Sequence, residues 1–290
     1  MNPAATAEPA QLAQPAQPAQ PFNPGTFTQR TFVVTGAASG IGAGISKLLA
    51  ELGGNLVMAD LDLAGLEKVA NEISATGAVT PIVIAGDQTD SATVDRTAQA
   101  AVTNFGGING IVANASVGVT GKLSELSDAD WHKGLLVNLT SAFYLTRAAM
   151  QVMIEKQIQG SLIFIASKNA FGPGAAVGAY SVAKAGMVQL MRIAALEGGK
   201  HGIRSNAINP DAVFDNSKLW DDGLRRERAA VYGIKPEELE DFYAARNLLN
   251  RRVTTRDVAL TTAFLLSDAA SRTTGSVIPV GGGVATAFPR

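Results

Sequence analysis

The chain runs to 290 residues, 47% hydrophobic and 17% charged, a composition that can bury a sizeable core in one large domain. A formal net charge of −1 gives no electrostatic case for nucleic acid or an anionic membrane as partner. The absence of cysteine excludes disulfides, thiolate metal sites and cysteine nucleophiles, and it fits a reducing cytoplasm.

Residues 1–28 stand apart. They hold Pro3, Pro9, Pro15, Pro18, Pro21 and Pro24, and residues 13–21 repeat Ala-Gln-Pro. Such a stretch has few large side chains to bury and is expected to form a disordered tail or linker. It lacks Lys, Arg and an apolar run, so it does not read as a signal peptide. No apolar segment is long enough to span a bilayer, and a cytoplasmic protein without membrane partners is expected.

From residue 29 onward the pattern is that of one catalytic domain. Thr31–Thr35 is a β-branched and aromatic run, followed by a glycine cluster and then Ile41, Ile45, Leu48, Leu49 and Leu52 at helical spacing. Strand-like runs at 55–60, 80–85, 108–113, 161–166, 203–208 and 276–280 alternate with helix-like stretches at 61–74, 90–104, 136–157, 176–197 and 254–267. The strands are nearly continuous apolar runs, which suits a parallel sheet covered on both faces. Strand–helix alternation predicts a doubly wound α/β Rossmann domain. Residues 211–252 break the rhythm with two amphipathic stretches, Leu219–Tyr232 and Glu237–Leu249, and most of the local charge. They predict a helical insertion over the carboxyl ends of the strands.

The glycine cluster reads Thr35-Gly36-Ala37-Ala38-Ser39-Gly40-Ile41-Gly42 between a strand and a helix. Glycine lets the backbone turn tightly and lets a pyrophosphate approach, and the helix N-terminus adds N–H groups and the positive end of its dipole. The spacing is Gly-x-x-x-Gly-x-Gly, not the commonest dinucleotide pattern, and a glycine turn made only for packing is the plainer alternative. Asp60 ends the second strand, where a carboxylate can accept both ribose hydroxyls of an adenosine and repel a 2′-phosphate. No cation follows directly, so NAD is the expected cofactor; a helix N-cap is the alternative role for such an Asp. Asp87 and Gln88 past the third strand are candidates for the adenine end, and Asn114 after the fourth is a candidate for pinning the chain there. Each is also an ordinary turn residue type.

Tyr180 and Lys184 lie four residues apart in a helical run, so they share a face. A phenol is a poor base at neutral pH, and a nearby ammonium is expected to lower its pKa. Ser167 ends the fifth strand at the same sheet edge, where its hydroxyl can hold a substrate oxygen while a tyrosine exchanges the proton. Alone, a Tyr-x-x-x-Lys pair is most often surface decoration. His132 and His201, the only histidines, lack ligand partners at suitable spacing, so no metal is expected.

Together, Thr35–Gly42, Asp60, Asp87, Asn114-Ala115, Asn138, Ser167 and Tyr180 with Lys184 stand in the order and spacing of the short-chain dehydrogenase/reductase family, which the chain resembles over residues 30–284. The resemblance implies a single domain with a seven-stranded parallel sheet and a homotetramer or homodimer. It implies Tyr180 as general acid/base, Lys184 lowering its pKa and holding the nicotinamide ribose, and Ser167 orienting the substrate. It also implies that Asn138 holds a water linking Lys184 to solvent, against the alternative of a buried asparagine satisfying a helix bend. The long apolar runs 135–153 and 177–196 fit pairing between subunits or a deep core. Three departures stand out. Asp211 replaces the family's glycine after Asn209-Pro210, Phe214 and Asp215 stand where a threonine is usual, and Ser116 ends the family's Asn-Asn-Ala-Gly. The Val213 backbone is expected to hold the carboxamide.

Residues 209–214, the insertion and residues 287–290 also resemble the dehydrogenase domain of bifunctional rhamnulose-phosphate aldolase/short-chain dehydrogenases, which implies a lactaldehyde-like substrate. Asp211, Ser167, Lys168 and Asn169 are expected to converge on a polar pocket mouth suited to a hydroxyaldehyde, polyol or sugar, with most arginines of the insertion on a solvated face. The rival readings are a reductase of another carbonyl class, such as 3-oxoacyl thioesters, and a non-catalytic NAD-binding protein.

Overall fold

The computed structural model describes residues 22–288. Residues 1–21 of the expected tail lie outside that range. Residues 22–28 correct its boundary: 24–29 form turns, and Phe27 is completely buried, edge-on to Phe32 at 4.8 Å between ring centroids. Its N–H also donates to the Leu52 carbonyl. Burying a phenylalanine contributes about 1.5–3 kcal/mol, enough to hold this turn against its Pro/Gly surroundings.

Seven strands form one parallel sheet in the order β3-β2-β1-β4-β5-β6-β7. They are β1 (Thr31–Thr35), β2 (Asn55–Asp60), β3 (Ile82–Ala85), β4 (Gly110–Ala113), β5 (Ser161–Ile165), β6 (Arg204–Pro210) and β7 (Val277–Val280). β1, β4 and β5 are buried throughout, as their unbroken apolar runs require, while the edge strands β3 and β7 are only partly covered.

Helices pack on both faces. On one side α1 (Gly40–Glu51), α2 (Leu63–Ser74) and α9 (Thr255–Leu266) enclose a core with Ile45, Leu49, Leu66 and Leu265 at its centre. On the other, α3 (Ser91–Phe105), α5 (Ser141–Glu155) and α6 (Gly178–Gly198) bury Val94, Leu145, Met187 and Met191. The chain order reverses between β1 and β4, and the cleft at such a switch point, beyond the carboxyl ends of the strands, is where open α/β sheets take ligands.

Two differences from the sequence reading matter for the site. The helix expected from residue 136 begins earlier, as α4 (Asp128–Leu135), and passes through a π-helical turn, Leu136–Thr140, into α5. Ser127 caps α4 by accepting from the Asp130 N–H at 3.1 Å. The insertion forms α7 (Asp222–Tyr232) and a short α8 (Leu239–Ala245) around its own aromatic cluster, with Phe214 and Trp220 stacked at 4.4 Å and Tyr232 and Phe242 at 4.5 Å. Among the described residues, no helix is long and apolar enough to cross a membrane.

Candidate active site

A cleft of about 560 Å³ opens at the carboxyl edge of the sheet. Of the residues expected from sequence, Gly36, Ser39, Gly40, Ile41, Asp60, Asn114, Ser167, Tyr180, Lys184 and Val213 line it. Gly42, Asp87, Gln88 and Asn138 do not.

The glycine turn is shaped for close approach. Gly36 and Gly40 have φ of +64° and +50°, in the left-handed region that favours glycine. Gly42 has a different reason to be glycine: a Cβ there would stand 2.1 Å from the Gly36 carbonyl oxygen and 2.7 Å from Asn114 Nδ2. Asn114 pins this loop to β4, its amide donating to the carbonyls of Thr35 and Gly36, both at 3.0 Å. Asp60 faces the same loop, and its carboxylate accepts the N–H groups of Ala38 at 3.0 Å and Asp62 at 3.1 Å.

Farther along the edge, the two expected adenine-end residues are spent locally. Asp87 is exposed and accepts the Thr89 N–H at 2.8 Å, a turn role. Gln88 is buried, donating to the Gly86 carbonyl at 3.2 Å.

The chemical end gathers on α6. Tyr180 and Lys184 sit one turn apart, with Nζ 5.6 Å from the centroid of the tyrosine ring. Lys184 is 1% exposed and donates to the Ile165 carbonyl at 2.8 Å; burial pushes its amine down to about 7. The Tyr180 hydroxyl is hydrogen-bonded to both Ser167 and Ser116. Burial raises this phenol above its ordinary value, and the two serine hydroxyls pull it back. The expected depression by Lys184 is therefore not what the structure has: the amine is itself desolvated and turned to a carbonyl, and the serines do the lowering.

Asn138, at the π turn, is completely buried with all its capacity spent on protein. Its oxygen accepts from Ser116 Oγ at 2.6 Å and the Val117 N–H at 3.0 Å. Its amide donates to the carbonyls of Val117 at 3.0 Å and Gly134 at 2.9 Å. The side chain expected to hold a water instead satisfies a helix bend and ties down the segment carrying Ser116. Ser116, noticed in the sequence only as a departure, is thus a member of the site.

The insertion closes the cleft. The Asn216 carbonyl accepts the N–H of Gly40, the first residue of α1, at 2.7 Å, and Lys218 pairs with Asp62. Sequence reasoning found no cation beside Asp60; this one arrives from 156 residues away. The arginines also correct the expectation of a solvated face. Arg228 is 5% exposed, Arg225 is half-buried and bonded to Glu240 at 3.0 Å, and Arg246 reaches Asp211 at 2.6 Å. Arg226, Arg251 and Arg252 are exposed as expected. Asp211, in place of the family's glycine, is buried against that guanidinium, and Val213 is buried with a bridge to Val253. Among the described residues, no group of three or more His, Cys, Asp or Glu is placed to hold a metal ion.

Comparison with known proteins agrees with this geometry. A family model described as enoyl-(acyl carrier protein) reductase matches residues 36–285. A short chain dehydrogenase/reductase, astE, of Aspergillus oryzae is 31% identical over 87% of this chain and 93% of its own length. The uncharacterized oxidoreductase YuxG of Bacillus subtilis is 37% identical over 91% of this chain, which spans only 38% of that relative's length. The crystal structure of sorbitol-6-phosphate 2-dehydrogenase from Erwinia amylovora superposes with a TM-score of 0.82 at 30% identity, covering 87% of this chain and 98% of that one. The chain belongs to the short-chain dehydrogenase/reductase family, enzymes that oxidise hydroxyl groups or reduce carbonyls with a nicotinamide cofactor.

Proposed function

We propose that this protein is an NAD-dependent dehydrogenase/reductase that moves a hydride between nicotinamide and a small hydroxylated alcohol or carbonyl compound, of the lactaldehyde, polyol or sugar kind. One observation carries the reading: the Tyr180 hydroxyl, bonded to Ser167 and Ser116 and stacked over Lys184, stands in the same cleft as the glycine turn and Asp60. The nicotinamide, when bound, supplies or takes the hydride.

The residues divide the remaining work. Gly36, Gly40 and Gly42 leave room for a diphosphate along α1, and Asp60 offers its carboxylate to ribose hydroxyls, which favours NAD. Asp87 and Gln88 stand nearest the adenine end by their position past β3, and the Val213 backbone is assigned to the carboxamide. Ser167 orients the substrate oxygen, and Tyr180 gives or takes the proton at that oxygen. Lys184 feeds the proton balance of Tyr180 from below, and Asn138 fixes Ser116. A polar pocket mouth, with Lys168, Asn169 and Asp211 beside Ser167, supports a small hydroxylated substrate, as does the likeness to a structure named for a phosphorylated polyol. The resemblance to the dehydrogenase half of aldolase-fused proteins fits a relative more than twice as long. Exposed Phe143, Val182, Ile193 and Leu196 on α5 and α6 support a homotetramer or homodimer built on these helices, in the cytoplasm.

The test is turnover and binding in parallel. The protein should reduce NAD with small hydroxylated compounds, and Tyr180→Phe should lose that turnover while still quenching or enhancing NADH fluorescence on binding. Turnover surviving in Tyr180→Phe, or no nicotinamide binding by the unaltered protein, would refute the reading.

A further inference from the structure

Beyond Ser167 the cleft carries charges that hydride transfer does not use. Lys168 follows Ser167 directly, is half-buried, and has one hydrogen bond, a long 3.4 Å contact to the Gly172 carbonyl. Arg228, on α7, is buried and donates to the Ala175 carbonyl at 3.0 Å and the Tyr232 hydroxyl at 2.8 Å. Both line the cleft, and neither has a carboxylate partner among the described residues. The nearest anion is Asp211, which Arg246 already holds.

The other carboxylates of the cleft are engaged elsewhere. Asp60 faces the glycine turn, Glu227 accepts from the Thr120 hydroxyl, and Asp221 caps α7 through the Leu224 N–H at 2.8 Å. Three cations therefore share one carboxylate at the substrate end. Burying positive charge without a counter-ion is costly, and a protein that keeps such an arrangement beside a binding cleft is built to be completed by an anion. The positive field has visible effects. It contributes, after burial, to holding the Lys168 amine below its ordinary value. The Tyr232 phenol is pushed up by burial, yet the hydrogen bond with Tyr243 and the guanidiniums of Arg228 and Arg246 hold it below its usual value. Two buried atoms here also have no partner, Arg246 Nε and Asn169 Oδ1. The first is a donor suited to an anion, the second an acceptor suited to a hydroxyl.

We propose that the substrate carries an anionic group, a carboxylate or a phosphate, and that Lys168 and Arg228, backed by Arg246, bind it while Ser167 and Tyr180 address a hydroxyl or carbonyl a few bonds away. This rests on the proposed function and names its substrate class. The ligand is a hydroxy acid or phosphorylated hydroxy compound in one redox direction, and the matching oxo compound in the other. A neutral diol of the same length meets the same catalytic groups but leaves the cations uncompensated.

Three compounds sharing one secondary alcohol separate the cases: butane-1,3-diol, 3-hydroxybutyrate and 2-hydroxypropyl phosphate, each assayed with NAD. A charge-assisted hydrogen bond is worth about 1.5–3 kcal/mol, so at least one anion should exceed the diol in kcat/KM by about tenfold or more, and the better anion tells carboxylate from phosphate. Lys168→Met should erase that advantage by raising KM for the anion while leaving the diol unchanged, and Lys168→Arg should restore it. Equal use of all three by the unaltered protein, or a parallel loss in Lys168→Met, overturns the proposal without touching the assignment of Tyr180. Where none of the three is turned over, thermal denaturation with the two anions decides. Saturable stabilisation of the unaltered protein that Lys168→Met loses supports the anion subsite, and its absence overturns it.

Discussion

Lys184 sets function against stability in a way that can be measured. The amine is 1% exposed with one carbonyl partner, and burial pushes it from an ordinary 10.5 to about 7. Between those two values the unfolded chain keeps a proton that the folded protein has released. Stability therefore rises with pH across that window, by up to about 1.4 kcal/mol per pH unit. The contribution is complete above pH 10.5 and lost as pH falls through 7. At and below neutral pH the folded state thus carries about 5 kcal/mol of desolvation, a large share of the ~5–15 kcal/mol that holds a domain together. Lys184→Met keeps the length and removes the charge, but strands the Ile165 carbonyl at about 1–3 kcal/mol. The variant should be catalytically dead, yet more stable than the parent by about 2–4 kcal/mol near pH 6.5, the gain fading to nothing around pH 9. Guanidinium unfolding followed by circular dichroism at several pH values reads this directly. Parallel pH profiles for parent and variant, or a variant destabilised at every pH, would refute the argument.

Two further outcomes follow from the same geometry. Ser116→Ala removes one of the two hydroxyls that pull the Tyr180 phenol down, so the alkaline-activated limb of kcat/KM for alcohol oxidation should move to higher pH, while binding of NADH by fluorescence stays unchanged. Gly42→Ala forces a Cβ against the Gly36 carbonyl at 2.1 Å; overpacking of this kind costs about 1–3 kcal/mol and should weaken NAD binding at least about tenfold by calorimetry.

Much of the frame was legible because burial on both faces writes strands as unbroken apolar runs. Val33, Val57 and Ile111 are completely buried, and their segments announced themselves. The α4 helix escaped because its residues are mostly polar, though Ser127 with Asp130 three places on carried a capping signal. Phe27 escaped because its neighbours are turn formers, and only tertiary contact with Phe32 reveals its role. In the site, residues tied to local chain geometry were readable: Gly36 and Gly40 by their turn, Tyr180 and Lys184 by their spacing. Residues joined from distant segments were not. Lys218 meets Asp62, Arg228 turns inward from an amphipathic helix, and Ser116 reaches Tyr180 across the cleft; periodicity reports which face is apolar, not where a cation on that face finds its partner.

The bond between Asn216 and Gly40 makes nucleotide entry conditional. A diphosphate settling on the first turn of α1 meets a carbonyl oxygen already there, whose negative end repels it. The stretch bearing Asn216 must swing away first. That stretch is moored to α9, where the Asp215 carboxylate accepts the Thr255 N–H at 2.9 Å and its hydroxyl at 2.7 Å, and it carries Lys218 at its far end. The movement gives up one neutral hydrogen bond, about 1 kcal/mol, plus an ion pair that salt weakens. Affinity for the dinucleotide is thereby wired to residues that never touch it, and loosening the mooring at Thr255 changes how readily the cleft admits its first guest.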